Sequence, residues 1–551
     1  MRIRIIIIAL LLLNALALAQ GRVNRSSLRL GTVHFKTSCN PKAQVDIDRA
    51  VALLHSFEFS NAISSFNTAL NNDATCGIAY WGIALSSWSN PFAVGAKDPS
   101  QLQAGRAAAE HGRRISAKTD RERAYLEAVG NLYVHFENTP QQARLISYRD
   151  AMAGVAAKYP EDREAQIFYA LAIAASEDPA DQTYAGRLKA GAILEKLFAE
   201  EPNHPGLAHY IIHTYDVPPL ADRALEAARR YSEIAPDAPH ALHMPSHTFT
   251  RTGYWQDSID SNVAAAAAAK REGETAEELH ASDYEVYAYL QTGQDQAAHR
   301  IVDALPEIES RFDPKQVIGG AAGPPVAYFA LAAIPARYAL ERGDWGRAAL
   351  LTPCETPFPW TNAITWFARG LGAARLGKSE AAYESAASLS QIRKRLSESD
   401  ESYWALQVEI EEREVRAWGK LAESKSHEAV QEMEAAAKLE DGTEKSAVTP
   451  GPLAPARELL GEMYLANHEP GAALEQFEAT LKKEPRRFRA IFGAGRAAQL
   501  AGQASLSQKY FRELVTQCAA SDQPARAELQ EAQKASVPSD SSATLPPATS
   551  R

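Results

Sequence analysis

The clearest internal repeat begins at residues 456–485, which read ARELLGEMYLANHEPGAALEQFEATLKKEP. The spacing from Gly461 to Gly495 is the same as the spacing from Phe477 to Phe511. Self-similarity at a fixed period of about 34 residues is typical of stacked helical hairpins, in which small residues let neighbouring helices approach closely. The stretch therefore predicts an all-α fold, a solenoid of antiparallel helix pairs.

The same pattern recurs along most of the chain. In residues 57–70, FEFSNAISSFNTAL, aromatic residues and alanines repeat at helical spacing. Residues 319–325, GGAAGPP, interrupt the helical pattern and predict a loop between two halves of the array. Further turns, each with a glycine between an apolar helix and an alanine-rich one, are predicted at Gly253-Tyr254-Trp255, Gly293-Gln294, Gly343-Asp344-Trp345 and Gly377-Lys378.

These repeats resemble the tetratricopeptide repeat (TPR) family over roughly residues 45–520. The chain is also similar to a group of large exported bacterial TPR proteins whose activity is not established. The resemblance implies a right-handed superhelical solenoid whose concave groove binds ligands. The phrases that carry it are LLHSFEFSNAISSF (53–66), AYWGIALS (79–86), HMPSHTFTRTGYW (243–255), DYEVYAYLQTGQ (283–294) and IPARYALERGDW (334–345).

We predict the following organisation from composition and periodicity. The final segment is rich in Ser, Thr and Pro, which is typical of disorder. The segments are a signal peptide at 1–19, a lead-in at 20–44, an N-terminal TPR-like array with a histidine-rich groove at 45–318, a Gly/Pro-rich break at 319–326, a C-terminal TPR-like array at 327–522, and a helix end with a disordered tail at 523–551.

The N-terminus has the pattern of a secretory signal. Arg2 and Arg4 precede the apolar run Ile5–Leu13, and Ala17-Leu18-Ala19 forms a small-x-small cleavage site. The alternative is an uncleaved membrane anchor, but the apolar run is short for a span and ends at Asn14. We expect export to the periplasm or the extracellular space, with no transmembrane segment after cleavage.

Composition excludes some partners. The chain has a formal net charge of −10, with 46% hydrophobic and 23% charged residues, which is an ordinary soluble composition. Charges of both signs are interspersed and no basic stripe with interleaved aromatic residues occurs, so nucleic-acid binding is not expected. A solenoid with a large concave surface favours a protein or peptide partner.

Four cysteines are present and none form a CxxC motif, so a redox motif or a thiolate zinc site is not indicated. Cys39 lies just before the first repeat and Cys76 at its end. In an exported protein we hypothesise a Cys39–Cys76 disulfide that staples the N-terminal repeat. The alternative is that both are buried free cysteines.

Histidines are the unusual feature of the middle repeats. Seven of the 14 histidines fall between residues 204 and 280. His209 and His213 are spaced i, i+4, so they share one helix face, and His243 and His247 repeat this spacing one repeat period later. Equivalent positions on neighbouring helices therefore carry the same residue type. Imidazoles from adjacent packed helices, which lie about 8–10 Å apart, can converge on one point.

The TPR resemblance implies which side chains line the groove. If Gly253 and Gly293 close the first helix of their repeats, the same three positions of consecutive repeats carry titratable or polar residues. Arg251 is the one basic groove candidate here, so the carboxylate clamp of well-understood peptide-binding TPR domains is not expected. The groove residues implied are His209, His213, Asp216, His240, His243, His247, Arg251, His280, Asp283 and Tyr287.

Three interpretations of the histidines remain open. The first is a metal site for zinc, copper or iron built from His209, His213, His243 and His247, with Asp216 or Asp283 as a ligand or an orienting carboxylate. The second is a groove for an anionic, peptide or glycan ligand without metal. The third is a hydrogen-bonded structural cluster. We expect a cell-envelope scaffold that binds a protein or ligand through its groove, with a metal-binding protein or metal-dependent enzyme as the alternative. No motif of a metal-free hydrolase occurs, and an enzyme is not the favoured interpretation.

Overall fold

The computed structural model describes residues 28–536, apart from residues 94, 116, 179 and 400. Within these ranges the regular structure is helical, and most helices pack antiparallel against the next one along the chain. The predicted all-α, TPR-like array is confirmed. The predicted signal peptide and the tail after Ser536 lie outside the described residues.

The N-terminal half consists of helical hairpins with short 3₁₀ turns at Asn131–Tyr133 and Ala221–Ala224. Its helices are α1 (Pro41–His55), α2 (Phe59–Asn72), α3 (Ala79–Trp88), α4 (Pro99–Ile115), α5 (Asp120–Gly130), α6 (Gln141–Lys158), α7 (Arg163–Ala175), α8 (Ala185–Glu200), α9 (Pro205–Thr214), α10 (Leu225–Ile234), α11 (Pro239–His243), α12 (Pro245–Thr252), α13 (Trp255–Glu272), α14 (Thr275–Gln291) and α15 (Asp295–Glu309).

The C-terminal half continues the hairpins after a non-helical segment. Its helices are α16 (Pro324–Glu341), α17 (Trp345–Ala349), α18 (Pro359–Arg375), α19 (Ser379–Glu398), α20 (Ser402–Ala422), α21 (Ser426–Asp441), α22 (Ala456–Ala466), α23 (Pro470–Lys483), α24 (Phe488–Leu500), α25 (Ala504–Gln517) and α26 (Ala527–Ser536). Among the described residues, no helix is long and apolar enough to cross a membrane.

Pro245 and the glycine-rich stretch at 319–325 each coincide with an interruption of the helices. Pro245 starts α12, so the histidine-bearing helix is divided at Met244 into two short pieces. In the predicted break at 319–326, the helix α16 already begins at Pro324, because proline fits the first turn of a helix. At its N-terminal side the non-helical segment begins after Glu309, earlier than the predicted start of the break at residue 319.

The C-terminal half folds back onto the histidine-bearing half. Lys445, between α21 and α22, lies 3.4 Å from the Asp216 carboxylate. The Trp255 indole N–H donates to the Arg486 carbonyl at 3.0 Å. The Tyr284 hydroxyl of α14 donates to the Ala447 carbonyl at 3.0 Å. These contacts between residues far apart in sequence close the superhelix around its own axis.

Close helix packing depends on the glycines of the C-terminal repeats. A Cβ atom at Gly461 would lie 3.0 Å from the Phe477 ring, and one at Gly495 would lie 2.7 Å from the Phe511 ring. Both distances are shorter than an ordinary van der Waals contact. The periodic recurrence of glycine and phenylalanine therefore reflects the same small-against-large contact in two successive hairpins.

We predict that Gly495→Ala lowers the free energy of unfolding by about 1–3 kcal/mol, because the added methyl group overpacks the Phe511 contact. The matched control is Gly471→Ala, at a helical position where a Cβ would meet nothing within 4 Å. That variant should be neutral or more stable by up to about 1 kcal/mol, from helix propensity. Chemical denaturation of both variants measures the difference, and equal effects would contradict the packing assignment.

Cys39 and Cys76 are joined by a disulfide, with their Cα atoms 5.0 Å apart. The bond ties the segment before α1 to the turn after α2. Of the other two cysteines, Cys354 is exposed and Cys518 is buried.

We predict that the oxidised native protein shows one rapidly reacting thiol, that of Cys354, and that denaturation without reductant exposes two. Reduction should then expose four and lower the free energy of unfolding by about 4 kcal/mol for a loop of this length. Thiol titration and denaturation measure these values. Four thiols in oxidised, denatured protein would exclude the disulfide.

Candidate metal centre

The closure of the superhelix buries the histidine cluster. Each of the six histidines predicted for the groove is at most 6% exposed. The segments that cover them come from the chain itself, at residues 89–93, 95–97, 314–326 and 444–448. The histidines predicted to line an open groove are thus buried inside the protein. The six histidines are His209, His213, His240, His243, His247 and His280.

The structure groups these six imidazoles into two trios. Each trio contains an i, i+4 pair and a third histidine from the first helix of the next repeat, and its ligand atoms lie within 4.8 Å of one another. The single four-histidine set predicted from sequence is therefore divided between the two groups. The first trio is His209, His213 and His240, and the second trio is His243, His247 and His280.

Hydrogen bonds fix the tautomers in the second trio. Nδ1 of His243 donates to Oδ1 of Asn262 at 2.7 Å. The orientation of the Asn262 amide is set because its nitrogen donates to the Ser258 carbonyl at 2.7 Å. Nδ1 of His247 donates to Asp216 at 3.0 Å. Each ring therefore presents the lone pair of Nε2, and the two Nε2 atoms are 3.1 Å apart.

Burial keeps these rings neutral. Burial lowers the pKa of His247 to about 4, although Asp216 opposes the shift. Burial and the neighbouring histidines lower the pKa of His280 to about 3. The pKa of His243 lies well below its usual range for the same reasons. At neutral pH the facing nitrogens of His243 and His247 are therefore lone pairs without a proton between them.

The first trio has the same kind of arrangement. Nδ1 of His209 donates to the backbone carbonyl of His55 at 2.6 Å, which leaves the Nε2 lone pair free. Among the described residues, neither Nε2 of His209, nor Nε2 of His213, nor either ring nitrogen of His240 has a hydrogen-bond partner. The nearest carboxylate to His240, that of Glu277, is 3.7 Å away. These four buried nitrogens are therefore available to a ligand.

A third group, His55, Glu164 and His204, is different because its two histidines donate hydrogen bonds to a carboxylate, although Nδ1 of His204 has no partner among the described residues. Nε2 of His55 and Nε2 of His204 donate to the Glu164 carboxylate at 2.9 and 3.0 Å. The Tyr210 hydroxyl donates to Nδ1 of His55 at 2.9 Å. This group is a structural hydrogen-bond network and provides a matched comparison for the two trios.

Two of the predicted acidic and polar residues lie elsewhere. Asp283 is paired with Arg337, and the Tyr287 hydroxyl accepts from Arg487 at 3.2 Å. Asp216 does orient an imidazole, and its second oxygen accepts from Arg251 at 2.9 Å. The expectation that Asp283 and Tyr287 join the histidines is therefore corrected by their arginine contacts.

The sequence did not reveal two members of the site. Tyr284 packs against His243 and His247 at centroid distances of 4.8 and 4.9 Å. It follows His280 by four residues, so the i, i+4 spacing used for the histidines would have found it. Asn262 comes from α13, the second helix of the repeat, and no periodic signal marks it.

A cavity of about 380 Å³ adjoins the trios. Each trio contributes two imidazoles to its wall, which also contains aromatic side chains. The wall includes His213, His240, His247 and His280, together with Phe92, Phe358, Trp360 and Trp404.

Comparisons with known proteins find solved structures of low sequence identity. No family model matches the chain, and no curated protein matches it. A solved structure of human IFIT1 with m7Gppp-AAAA aligns at a TM-score of 0.37 and 9% identity, over 88% of this chain and 96% of that one. The Cut9–Hcn1 assembly aligns at a TM-score of 0.35 and 11% identity, over 90% of this chain and 90% of that one. Yeast Tom70 aligns at a TM-score of 0.27 and 11% identity, over 90% of this chain and 95% of that one. These neighbours contain TPRs, and the likeness is one of repeated helical hairpins.

We predict that His240→Leu in chelator-treated protein leaves the free energy of unfolding unchanged or raises it by about 1 kcal/mol, because it removes two unsatisfied buried nitrogens. His204→Leu is the matched control. It breaks a hydrogen bond to Glu164 and should lower the free energy of unfolding by about 1–3 kcal/mol. Denaturant titration measures both. Equal destabilisation by the two substitutions would mean that the His240 imidazole has a structural role.

Proposed function

We propose that this chain is an exported helical-repeat protein that binds a divalent transition metal ion through His243, His247 and His280. The observation that carries the proposal is the 3.1 Å contact between two Nε2 lone pairs, with each opposite Nδ1 held by an acceptor. Two nitrogen ligands of one tetrahedral zinc ion lie roughly 3.3–3.4 Å apart, given Zn–N bonds of about 2.0–2.1 Å. A cation between the lone pairs converts a repulsive contact into two bonds.

The donor set selects the class of metal. Neutral imidazoles suit zinc, copper and iron, whereas calcium and magnesium prefer oxygen ligands. Asp216 and Asn262 have the role of outer residues that fix the tautomer and orientation of a ligating ring. Three protein ligands leave a coordination position open, and His247 and His280 place that position beside the cavity. This arrangement supports a site that exchanges a small ligand.

Protein binding, the function that the sequence favours, is supported by the fold alone. Helical-repeat solenoids offer extended surfaces to protein partners. The predicted groove residues are buried under segments of the chain itself, so a polypeptide partner would use another surface. The structure of human IFIT1 contains an RNA, but the expectation that this chain binds no nucleic acid stays a prediction. Export, which rests on the N-terminal signal pattern, likewise remains part of the proposal.

We predict that protein purified without a histidine tag or chelator retains a transition metal ion, measured by elemental analysis. Zn²⁺ or Cu²⁺ added to chelator-treated protein should raise the free energy of unfolding by about 2.7 kcal/mol at 100 times Kd. His247→Gln and His280→Gln should bind the ion at least tenfold more weakly.

The control is His204→Gln, which alters a buried histidine outside both trios and should bind metal as the unaltered protein does. Circular dichroism establishes that each variant is folded. The proposal fails if the unaltered protein neither retains metal nor is stabilised by Zn²⁺, Cu²⁺ or Fe²⁺. It also fails if His204→Gln loses as much affinity as His247→Gln.

A further inference from the structure

We infer that the first trio is a second metal site and that the two trios form one dinuclear centre, whose ions share a small anionic ligand in the cavity. This inference rests on the proposed function of the second trio. Three independent features support it: the repeat relation between the trios, the unpartnered nitrogens of the first trio, and the short distance between them.

The second trio repeats the first one solenoid unit later. His209 and His213 of α9 correspond to His243 and His247 of α11 and α12 in the next repeat. The third ligand comes in each case from the first helix of the following repeat, as His240 and His280. The same arrangement, an i, i+4 pair of histidines plus one histidine from the next repeat, therefore occurs in two successive repeats. If one of these groups binds a metal ion, the other has the same ligand types in the same arrangement.

The first trio also shows the orienting contacts expected of ligands. The His55 carbonyl holds Nδ1 of His209, as Asn262 holds Nδ1 of His243. The ring of His213 is stacked on Phe92, with centroids 4.2 Å apart and planes 15° from parallel. The nitrogens of His240 make no hydrogen bond within the described chain, and the Glu277 carboxylate lies 3.7 Å from Nδ1. Rings held in place with free nitrogens are arranged for an ion, because a structural role would use those nitrogens.

The two trios are in direct contact. Ring centroids are 5.8 Å apart between His213 and His247, and 5.9 Å apart between His240 and His243. Distances within a trio span the same range, from 4.5 Å for His243–His280 to 6.3 Å for His213–His240. Because rings of different trios are as close as rings within one trio, two ions held by them would be near neighbours, as in two-metal sites, where the ions lie about 3.5–4 Å apart.

Charge identifies the ligand class. Six neutral imidazoles leave two divalent ions with four uncompensated positive charges. Arg251 and Lys445 are balanced by Asp216, Glu444 and Glu484, and the Glu277 carboxylate lies 3.7 Å from His240, so the carboxylates offset only part of this charge. Buried charge requires a partner, so the centre needs an anion from solution for the remainder. An anion with an aromatic or apolar body fits the cavity, whose lining includes Trp360 and Trp404 stacked at 4.0 Å.

Electron paramagnetic resonance (EPR) of copper-loaded protein tests the inference. Chelator-treated full-length protein is loaded with Cu²⁺, and total copper is compared with the double-integrated EPR signal, with and without azide as the anionic probe. We expect two copper ions per chain. We also expect either an integrated EPR signal well below that of two isolated copper ions or a half-field transition, because the two ions are coupled. The EPR spectrum should change when azide is added.

Single-site variants provide the internal control. His213→Gln and His280→Gln should each bind one copper ion with full, mononuclear EPR intensity. Two copper ions with full mononuclear intensity in the unaltered protein would overturn the dinuclear centre. One copper ion in the unaltered protein, lost in His280→Gln and kept in His213→Gln, would overturn it while leaving the proposed function intact. No copper binding at all would overturn both.

Discussion

The return of the C-terminal half onto the histidine-bearing helices fixes the environment of the whole site. Lys445 reaches Asp216 in an ion pair that is almost wholly buried, and the Tyr284 hydroxyl of α14 donates to the Ala447 carbonyl at 3.0 Å. Breaking a buried ion pair by removing one partner costs about 3–5 kcal/mol, so these contacts hold the superhelix closed once it has formed. Without that closure the histidines would line an open groove and would be solvated.

Burial determines the chemistry of the imidazoles. A solvated histidine titrates near neutral pH, whereas burial lowers the pKa of His247 to about 4. The same burial leaves the ring nitrogens of His240 without a hydrogen-bond partner among the described residues. A cluster of neutral lone pairs is unfavourable on its own and favourable around a cation. The arrangement is therefore one that the proposed metal ion would stabilise.

Local periodicity accounts for what the sequence could predict. The regular repeat spacing predicted the hairpins, and it placed His209 and His213 on a helix next to that of His243 and His247. The division into trios depends on which helix the third ligand comes from, and that is set by the superhelical twist. The assumed register also placed Asp283 beside the histidines, whereas in the structure Tyr284 packs against His243 and His247 and Asp283 pairs with Arg337. Lys445 of the closing segment is 229 residues from Asp216 along the chain, and no periodic signal predicts a contact over that distance.

X-ray absorption at the metal edge of the native protein tests the central claim most directly, because it reports the ligands of the ion itself. The account predicts a first shell of three imidazole nitrogens at about 2.0–2.1 Å, with the outer-shell scattering typical of histidine rings. A first shell of oxygen atoms alone, a sulfur shell, or the absence of any metal edge above background would contradict it.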